Sequence, residues 1–146
     1  MDEEFQLIKK VQSYNPSCDK ERLTKAIEFA KSAHSAQIRA SGEPYFIHPL
    51  AVANILADLT LDDDSIITGL LHDTVEDTLV TQQMIEKEFG VNVAKLVIGV
   101  TKLNKIEYQP ENVRQAENFR KLLLAMSEDI RILLVKICDR LHNMRT

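Results

Sequence analysis

At 146 residues the chain is long enough for one domain with a single buried core and too short for a second catalytic unit. Four glycines, four prolines and no tryptophan favour helices over a turn-rich β fold. A formal charge of −4 argues against nucleic acid as the main partner, and no apolar run approaches the roughly 18–20 residues of a membrane span.

In chain order, residues 4–11 place Phe5, Leu7, Ile8 and Val11 at helical spacing, and Tyr14-Asn15-Pro16-Ser17 closes this packing helix with a turn. From Asp19, Leu23, Ala26, Ile27, Ala30, Ala33 and His34 recur every three or four residues, which predicts a longer helix to about Ile38. His34 reads as a core or capping histidine. Cys18 and Cys138 show neither metal-type spacing nor a framework of pairs, as expected of free thiols in a cytoplasmic chain. Ser41-Gly42-Glu43-Pro44 is a turn, and its glycine lets backbone approach a ligand closely. Pro49 suits the first turn of a helix running through Val52, Ile55, Leu56 and Leu59, so His48 stands at that helix's entrance, as a ligand or as a cap.

Asp62, Asp63 and Asp64 offer N-caps and dipole-complementing charge to a central helix. That helix is predicted to carry Gly69-Leu70-Leu71-His72-Asp73-Thr74-Val75-Glu76-Asp77-Thr78. Helix positions four apart lie about 5–6 Å apart at Cβ, which sets Glu76 over His72 and Asp77 over Asp73. Ile66, Ile67, Leu70, Leu71 and Val75 make the helix apolar nearly all round, hence buried, and buried carboxylates need a compensating cation. Gly69 costs about 1 kcal/mol relative to Ala inside a helix, which close packing or room beside an ion must offset.

Thr81 begins an amphipathic helix with Met84, Ile85 and Phe89 on one side and Gly90 as its stop. Val91 to Leu103 continues helical around Val93, Leu96, Val97 and Val100. Residues 104–113 are polar and contain Pro110, which predicts a mobile loop at the mouth of a site. A helix over Gln115–Met126, with Phe119, Leu122, Leu123 and Met126 inward, precedes one over Ile130–Met144. In this last helix Leu133, Leu134, Ile137, Leu141 and Met144 are predicted to form the buried stripe, with Asp139 projecting from its edge toward the central helix. Charge is unevenly distributed: every charged residue from Asp62 to Asp77 is acidic, whereas Arg131 to Arg145 holds four basic residues and only Asp139 is acidic. An ion on the first segment, with cations from the second, makes an anion receptor.

His48, His72, Asp73 and Asp139, drawn from three segments with apolar neighbours, form a candidate metal-ligand set. Mixed imidazole and carboxylate ligation suits Mn²⁺, Fe²⁺ or Zn²⁺ better than Ca²⁺ or Mg²⁺. On an octahedral ion, four protein ligands leave openings for water and a substrate oxygen, as a metal-assisted hydrolase needs.

Four ordered motifs carry a resemblance: Arg39-Ala40-Ser41-Gly42-Glu43-Pro44-Tyr45 with His48-Pro49; His72-Asp73-Thr74-Val75-Glu76-Asp77-Thr78; Val100-Thr101-Lys102-Leu103; and Asp139-Arg140-Leu141-His142-Asn143-Met144-Arg145-Thr146. On them, residues 39–146 resemble the amino-terminal hydrolase domain of the RelA/SpoT family, a branch of the HD-domain phosphohydrolases. The resemblance implies an all-α, irregular helical HD-type bundle. It makes His48, His72, Asp73 and Asp139 the ligands, usually to Mn²⁺, and Glu76 and Asp77 the catalytic acidic pair. Arg39, Ser41, Asn143 and Thr146 match positions around the nucleotide. The reaction implied is removal of the 3′-pyrophosphate from the guanine-nucleotide alarmones ppGpp and pppGpp. Two other readings stand beside it: an HD phosphohydrolase acting on another nucleotide, and an alarmone-binding module without turnover. Ala40 favours the latter, standing where the family commonly has a basic residue. The expectation is one HD-type domain over 1–146, shortened at its carboxy-terminal end, with no synthetase or regulatory domain. Apolar surface uncovered by that shortening favours a homo-oligomer.

Overall fold

The computed structural model describes residues 2–35, 42, 44–107 and 130–145, and only the backbone at residues 2, 3, 77, 103–107 and 145. Within these, the chain forms α1 (Asp2–Tyr14), α2 (Lys20–Ala33), α3 (Ile47–Asp58), α4 (Asp63–Leu71), α5 (Thr74–Asp77), α6 (Gln82–Phe89), α7 (Val91–Glu107) and α8 (Ile130–Arg145). No strand occurs among the described residues, so the expected all-α class holds. Short polar side chains set several helix starts. Asp19 accepts from the Arg22 amide at 3.1 Å, Asp62 from the Ser65 amide at 3.2 Å, and Thr81 from the Met84 amide at 3.3 Å. Gly90, at φ 101°, ends α6 with its amide on the Glu86 carbonyl.

The centre of the bundle is α4, which touches α2, α3, α7 and α8. Being surrounded, it must be apolar all round, and Ile66, Ile67, Leu70 and Leu71 are fully buried. Each such side chain contributes about 1.5–3 kcal/mol over exposure, enough to override the weak helix propensity of the isoleucines and of Gly69. Gly69 has the packing reason its cost demands. A Cβ there would stand 2.5 Å from Leu56 Cδ1, so the Leu56 side chain of α3 fills the space that a side chain at 69 would need. Around this pair, α8 packs on α3 and α7, α6 on α7, and α1 on α2 and α3. Among the described residues no helix is long and apolar enough to cross a membrane.

Several expectations need correction. The central helix does not run through to Thr78: α4 stops at Leu71, His72 and Asp73 form a turn, and α5 starts at Thr74. The cause is competition for carbonyls. His72 Nδ1 lies 2.6 Å from the Gly69 carbonyl and Thr74 Oγ1 donates to the Leu71 carbonyl at 2.7 Å, taking acceptors that continuing helical amides would use. Next, α2 ends at Ala33 rather than near Ile38, with His34 as its C-cap and the His34 ring buried against Tyr45, centroids 4.7 Å apart. Residues 36–40 lie outside the described residues. The helix from Val91 runs on to Glu107, four residues into the loop expected over 104–113, and the rest of that expected loop and the helix expected over 115–126 lie outside the described residues.

The buried stripe of α8 also differs from expectation. Ile137, Leu141 and Met144 are exposed and Leu133 and Leu134 half-buried; the buried face is Ile132, Val135, Cys138, Asp139 and His142. Counting only apolar residues selects the wrong side of this helix, because its buried side carries polar groups with partners.

The crossing of α7 and α8 depends on Gly99, where a Cβ would collide with Cδ1, Cγ1 and Cγ2 of Ile132. Replacing a mid-helix glycine by alanine ordinarily gains about 1 kcal/mol, whereas overpacking a buried contact costs about 1–3 kcal/mol. Gly99→Ala is therefore expected to lower the melting temperature, and Ile132→Val in the same chain to recover part of the loss. A Gly99→Ala chain as stable as wild type would show that the helices are free to separate.

Candidate metal centre

Four buried side chains converge where α3, the α4–α5 turn and α8 meet. His48 and Asp139 come from helices on either side, and His72 and Asp73 from the turn between them. Nε2 of His48 lies 2.6 Å from Asp139 Oδ1, and Nε2 of His72 lies 3.2 Å from both Asp139 Oδ1 and Asp73 Oδ2. From His48 Nε2 to Asp73 Oδ2 is 3.8 Å. One ligand atom from each of the four falls within 4.8 Å of the others.

The turn that breaks the central helix is what aims His72. A carbonyl can only accept, so the contact to Gly69 puts a proton on His72 Nδ1 and leaves Nε2 as the variable atom facing the carboxylates. With Nε2 bare, its lone pair and two carboxylates face one another with no positive charge between them. A proton on Nε2, or a metal ion, resolves this. Burial by itself lowers the His72 pKa, but Asp73 and Asp139 outweigh it and hold the imidazole well above its ordinary value. Asp73 is brought down to about 2: burial works against this, and the charge and hydrogen bond of His72, with help from Tyr45, prevail. Asp139 is likewise held well below the usual carboxylate range, with burial overcome by its bonds to His48 and His72. A divalent ion would neutralise the same two carboxylates. The donor set therefore fits such an ion, with both imidazoles turning Nε2 inward and ordinary ligand bonds of about 2.0–2.2 Å spanning a cluster of this size.

Three further side chains fix these four. Tyr45 Oη donates to Asp73 Oδ2 at 2.8 Å, and Lys136 Nζ lies 3.3 Å from Asp139 Oδ2, leaving Oδ1 for the imidazoles. The ion pair between Lys136 and Asp139, which at sequence level competes with a ligand role, thus coexists with it on the other oxygen. His142, buried on α8, sets Nδ1 2.7 Å from His48 Nδ1. None of these three was picked out from the sequence as a site residue. Tyr45 stands three positions before His48, and Lys136 and His142 three positions either side of Asp139, so helical spacing was the signal available.

The other expected site residues are less drawn in. Glu76 is exposed on α5, Asp77 ends that helix with its side chain outside the described atoms, and Asn143 is exposed on α8. Arg39, Ser41 and Thr146 lie outside the described residues.

The pKa directions fix how the metal-free protein responds to pH. His72, raised, contributes stability that is complete below its ordinary 6.5 and lost as pH rises through the raised value. Asp73, depressed, contributes stability present above its ordinary 3.8 and lost as pH falls toward about 2. The chelated protein should melt highest between these limits and lower above them. A metal must displace the His72 proton, so its stabilising effect should grow as pH rises. Melting scans with chelator and with Mn²⁺ across this range check both trends; a metal effect independent of pH would mean that His72 is not displaced.

The HD domain family matches residues 26–146. The chain is 53% identical over 143 residues to a GTP pyrophosphokinase rsh of Brucella ovis, covering 98% of this chain and 19% of that protein. It is 50% identical over 136 residues to the bifunctional (p)ppGpp synthase/hydrolase SpoT of Escherichia coli, covering 93% of this chain and 19% of that protein. The chain thus spans about a fifth of the length of these curated relatives. Among solved structures, one described as a metazoan ortholog of SpoT that hydrolyses ppGpp superposes with a TM-score of 0.71 at 26% identity, over 88% of this chain and 71% of that one. By the family match and by similarity along almost its whole length, the chain belongs to the HD domain family, on its RelA/SpoT branch.

Proposed function

We propose that the chain is a metal-dependent phosphohydrolase that removes the 3′-pyrophosphate of ppGpp and pppGpp, releasing pyrophosphate and GDP or GTP. The observation that carries the reading is the buried cluster of His48, His72, Asp73 and Asp139, assembled from the residues that the motifs single out. The names of the relatives supply the substrate class. In this reading the four side chains hold a divalent ion, Mn²⁺ by preference. Such an ion supplies Lewis-acid chemistry, acidifying water and offsetting phosphate charge.

The protein's own part is orientation and proton handling. Gly69 and His142 hold the two imidazoles with Nε2 inward, while Tyr45 and Lys136 each occupy a carboxylate oxygen of the aspartates. Glu76, exposed on α5 three residues past Asp73, and its neighbour Asp77 orient the attacking water and accept its proton. The water oxygen bonds to phosphorus as the phosphoester bond to the ribose 3′ oxygen breaks, and the proton taken up by the acidic pair passes to that leaving oxygen. Arg39 offsets phosphate charge, and Ser41, Asn143 and Thr146 hold the nucleotide.

Manganese-dependent ppGpp hydrolysis by the purified chain, with products identified, tests the reaction. Running dNTPs and cyclic nucleotides alongside separates it from an HD phosphohydrolase of other specificity, and a ppGpp titration separates it from binding without turnover. An ion that binds only the folded state adds about 2.7 kcal/mol of stability at a hundredfold excess over Kd. Mn²⁺ should accordingly raise the melting temperature; no shift and no bound metal at saturation would remove the ion from the reading.

Substitutions separate holding from chemistry. Asp73→Ala should abolish both metal uptake and turnover. Glu76→Gln or Asp77→Asn should keep the metal and ppGpp affinity while single-turnover hydrolysis falls about 10²–10⁴-fold, the usual contribution of acid–base catalysis. Near-full turnover by both amide variants would reduce the acidic pair to a solvated helix face.

A further inference from the structure

Three basic side chains border a recess that shares no residue with the cluster. Lys95 and Lys102 come from α7 and Arg131 from the first turn of α8, around a hollow of about 480 Å³ that Gln82 of α6 and Asn92 of α7 also line. Helical spacing puts Asn92, Lys95 and Lys102 on one side of α7, since steps of three and seven residues come close to one and two whole turns. No residue lining the hollow is acidic, in a chain where 22 acidic residues outnumber 18 basic ones. The acid beside it, Asp62, is already engaged. Its Oδ2 takes Arg131 at 2.6 Å and its Oδ1 accepts from the amide and hydroxyl of Ser65, so Asp62 fixes Arg131 at the edge and leaves the lysines unneutralised. Lys95 and Lys102 are exposed and make no ion pair among the described residues.

From this arrangement we infer that the recess is a binding site for a small anion bearing two or more phosphate groups, separate from the metal centre. Like charges gathered round a hollow repel, and an anion among them relieves that cost. The wall behind them is apolar: Leu96 and Ile132 are each 2% exposed, and a low-dielectric wall lined by one sign of charge focuses the field into the opening. A solvated face of a single helix would have neither the concavity nor the contribution of three helices. The volume lies within the roughly 300–1,000 Å³ usual for small-ligand sites. Lys95 and Lys102 stand about 10 Å apart along the axis of α7, a spacing that suits charge carried at more than one point of the ligand. Separation from the cluster follows from α8 itself. Arg131 precedes Asp139 by eight positions, about 12 Å along the helix. The inference therefore stands apart from the hydrolase reading and does not depend on an ion.

Inorganic pyrophosphate is the probe, titrated calorimetrically into the full chain at low salt with chelator present, so that no ion at the cluster can hold it. Wild type should bind one pyrophosphate per chain, and more tightly than orthophosphate. The double variant Lys95→Gln, Lys102→Gln should bind about 5–30-fold more weakly, the scale of two partly solvated charge contacts. Its melting temperature should stay near wild type, because both side chains are exposed. Lys20→Gln with Lys87→Gln removes the same charge from exposed positions that do not line the recess, and should leave affinity unchanged. Amide NMR shifts on titration should centre on Lys95, Lys102 and Arg131 rather than on His48 and Asp73. Equal weakening in both double variants would reduce the effect to overall charge and overturn the proposal. So would undiminished binding after the Lys95 and Lys102 substitutions, shifts confined to the cluster, orthophosphate binding as tightly as pyrophosphate, or no binding by wild type. None of these outcomes bears on manganese-dependent ppGpp hydrolysis, so the two readings fail separately.

Discussion

Asp73 and Asp139 are buried within reach of the same two imidazoles, and neither could remain ionised there without positive charge beside it. This constraint organises the molecule. It requires separate helices to meet inside the bundle, so the helix through the middle must be buried on every side, and α4 is from Ser65 to Leu71. It requires that helix to end where its histidine faces inward, and the side chains of His72 and Thr74 end it by taking backbone carbonyls. Leu56 of α3 packs into the space left by the missing side chain at Gly69.

The same constraint explains what was legible in the sequence. His48, His72, Asp73 and Asp139 were readable because polar residues among apolar neighbours signal a buried group with a purpose, and the ordered motifs brought distant segments together. The end of α4 was not readable from periodicity. A 3.6-residue pattern continues smoothly through Val75, and only the competition of side chains for carbonyls interrupts it. The mis-set stripe of α8 has a related origin. Hydrophobic periodicity weighs apolar side chains alone, and on this helix Asp139 and His142 are buried while Ile137, Leu141 and Met144 are not.

Tyr45 and Lys136 show how the cluster's geometry extends outward. Tyr45 donates to the Asp73 oxygen that also faces the imidazoles, and Lys136 takes the Asp139 oxygen that does not, so both carboxylates are held in place. Tyr45 in turn rests on His34 at the end of α2, carrying the arrangement to a helix that provides no ligand. The residues proposed to face the substrate follow a different logic: Glu76 and Asn143 are exposed, and burial gives no help in finding them.

The contacts at the centre are also among the least local in the chain. His48 meets Asp139 across 91 positions and His142 across 94, whereas His72 and Asp73 are neighbours. Closing a loop of that length costs chain entropy before any contact repays it. A nascent or partly folded chain would hold the turn at His72 and Asp73 without its distant partners, and would have little hold on an ion. An ion held by this cluster would thus be a mark of a finished fold, and its loss would not need to precede unfolding for the two to be seen together.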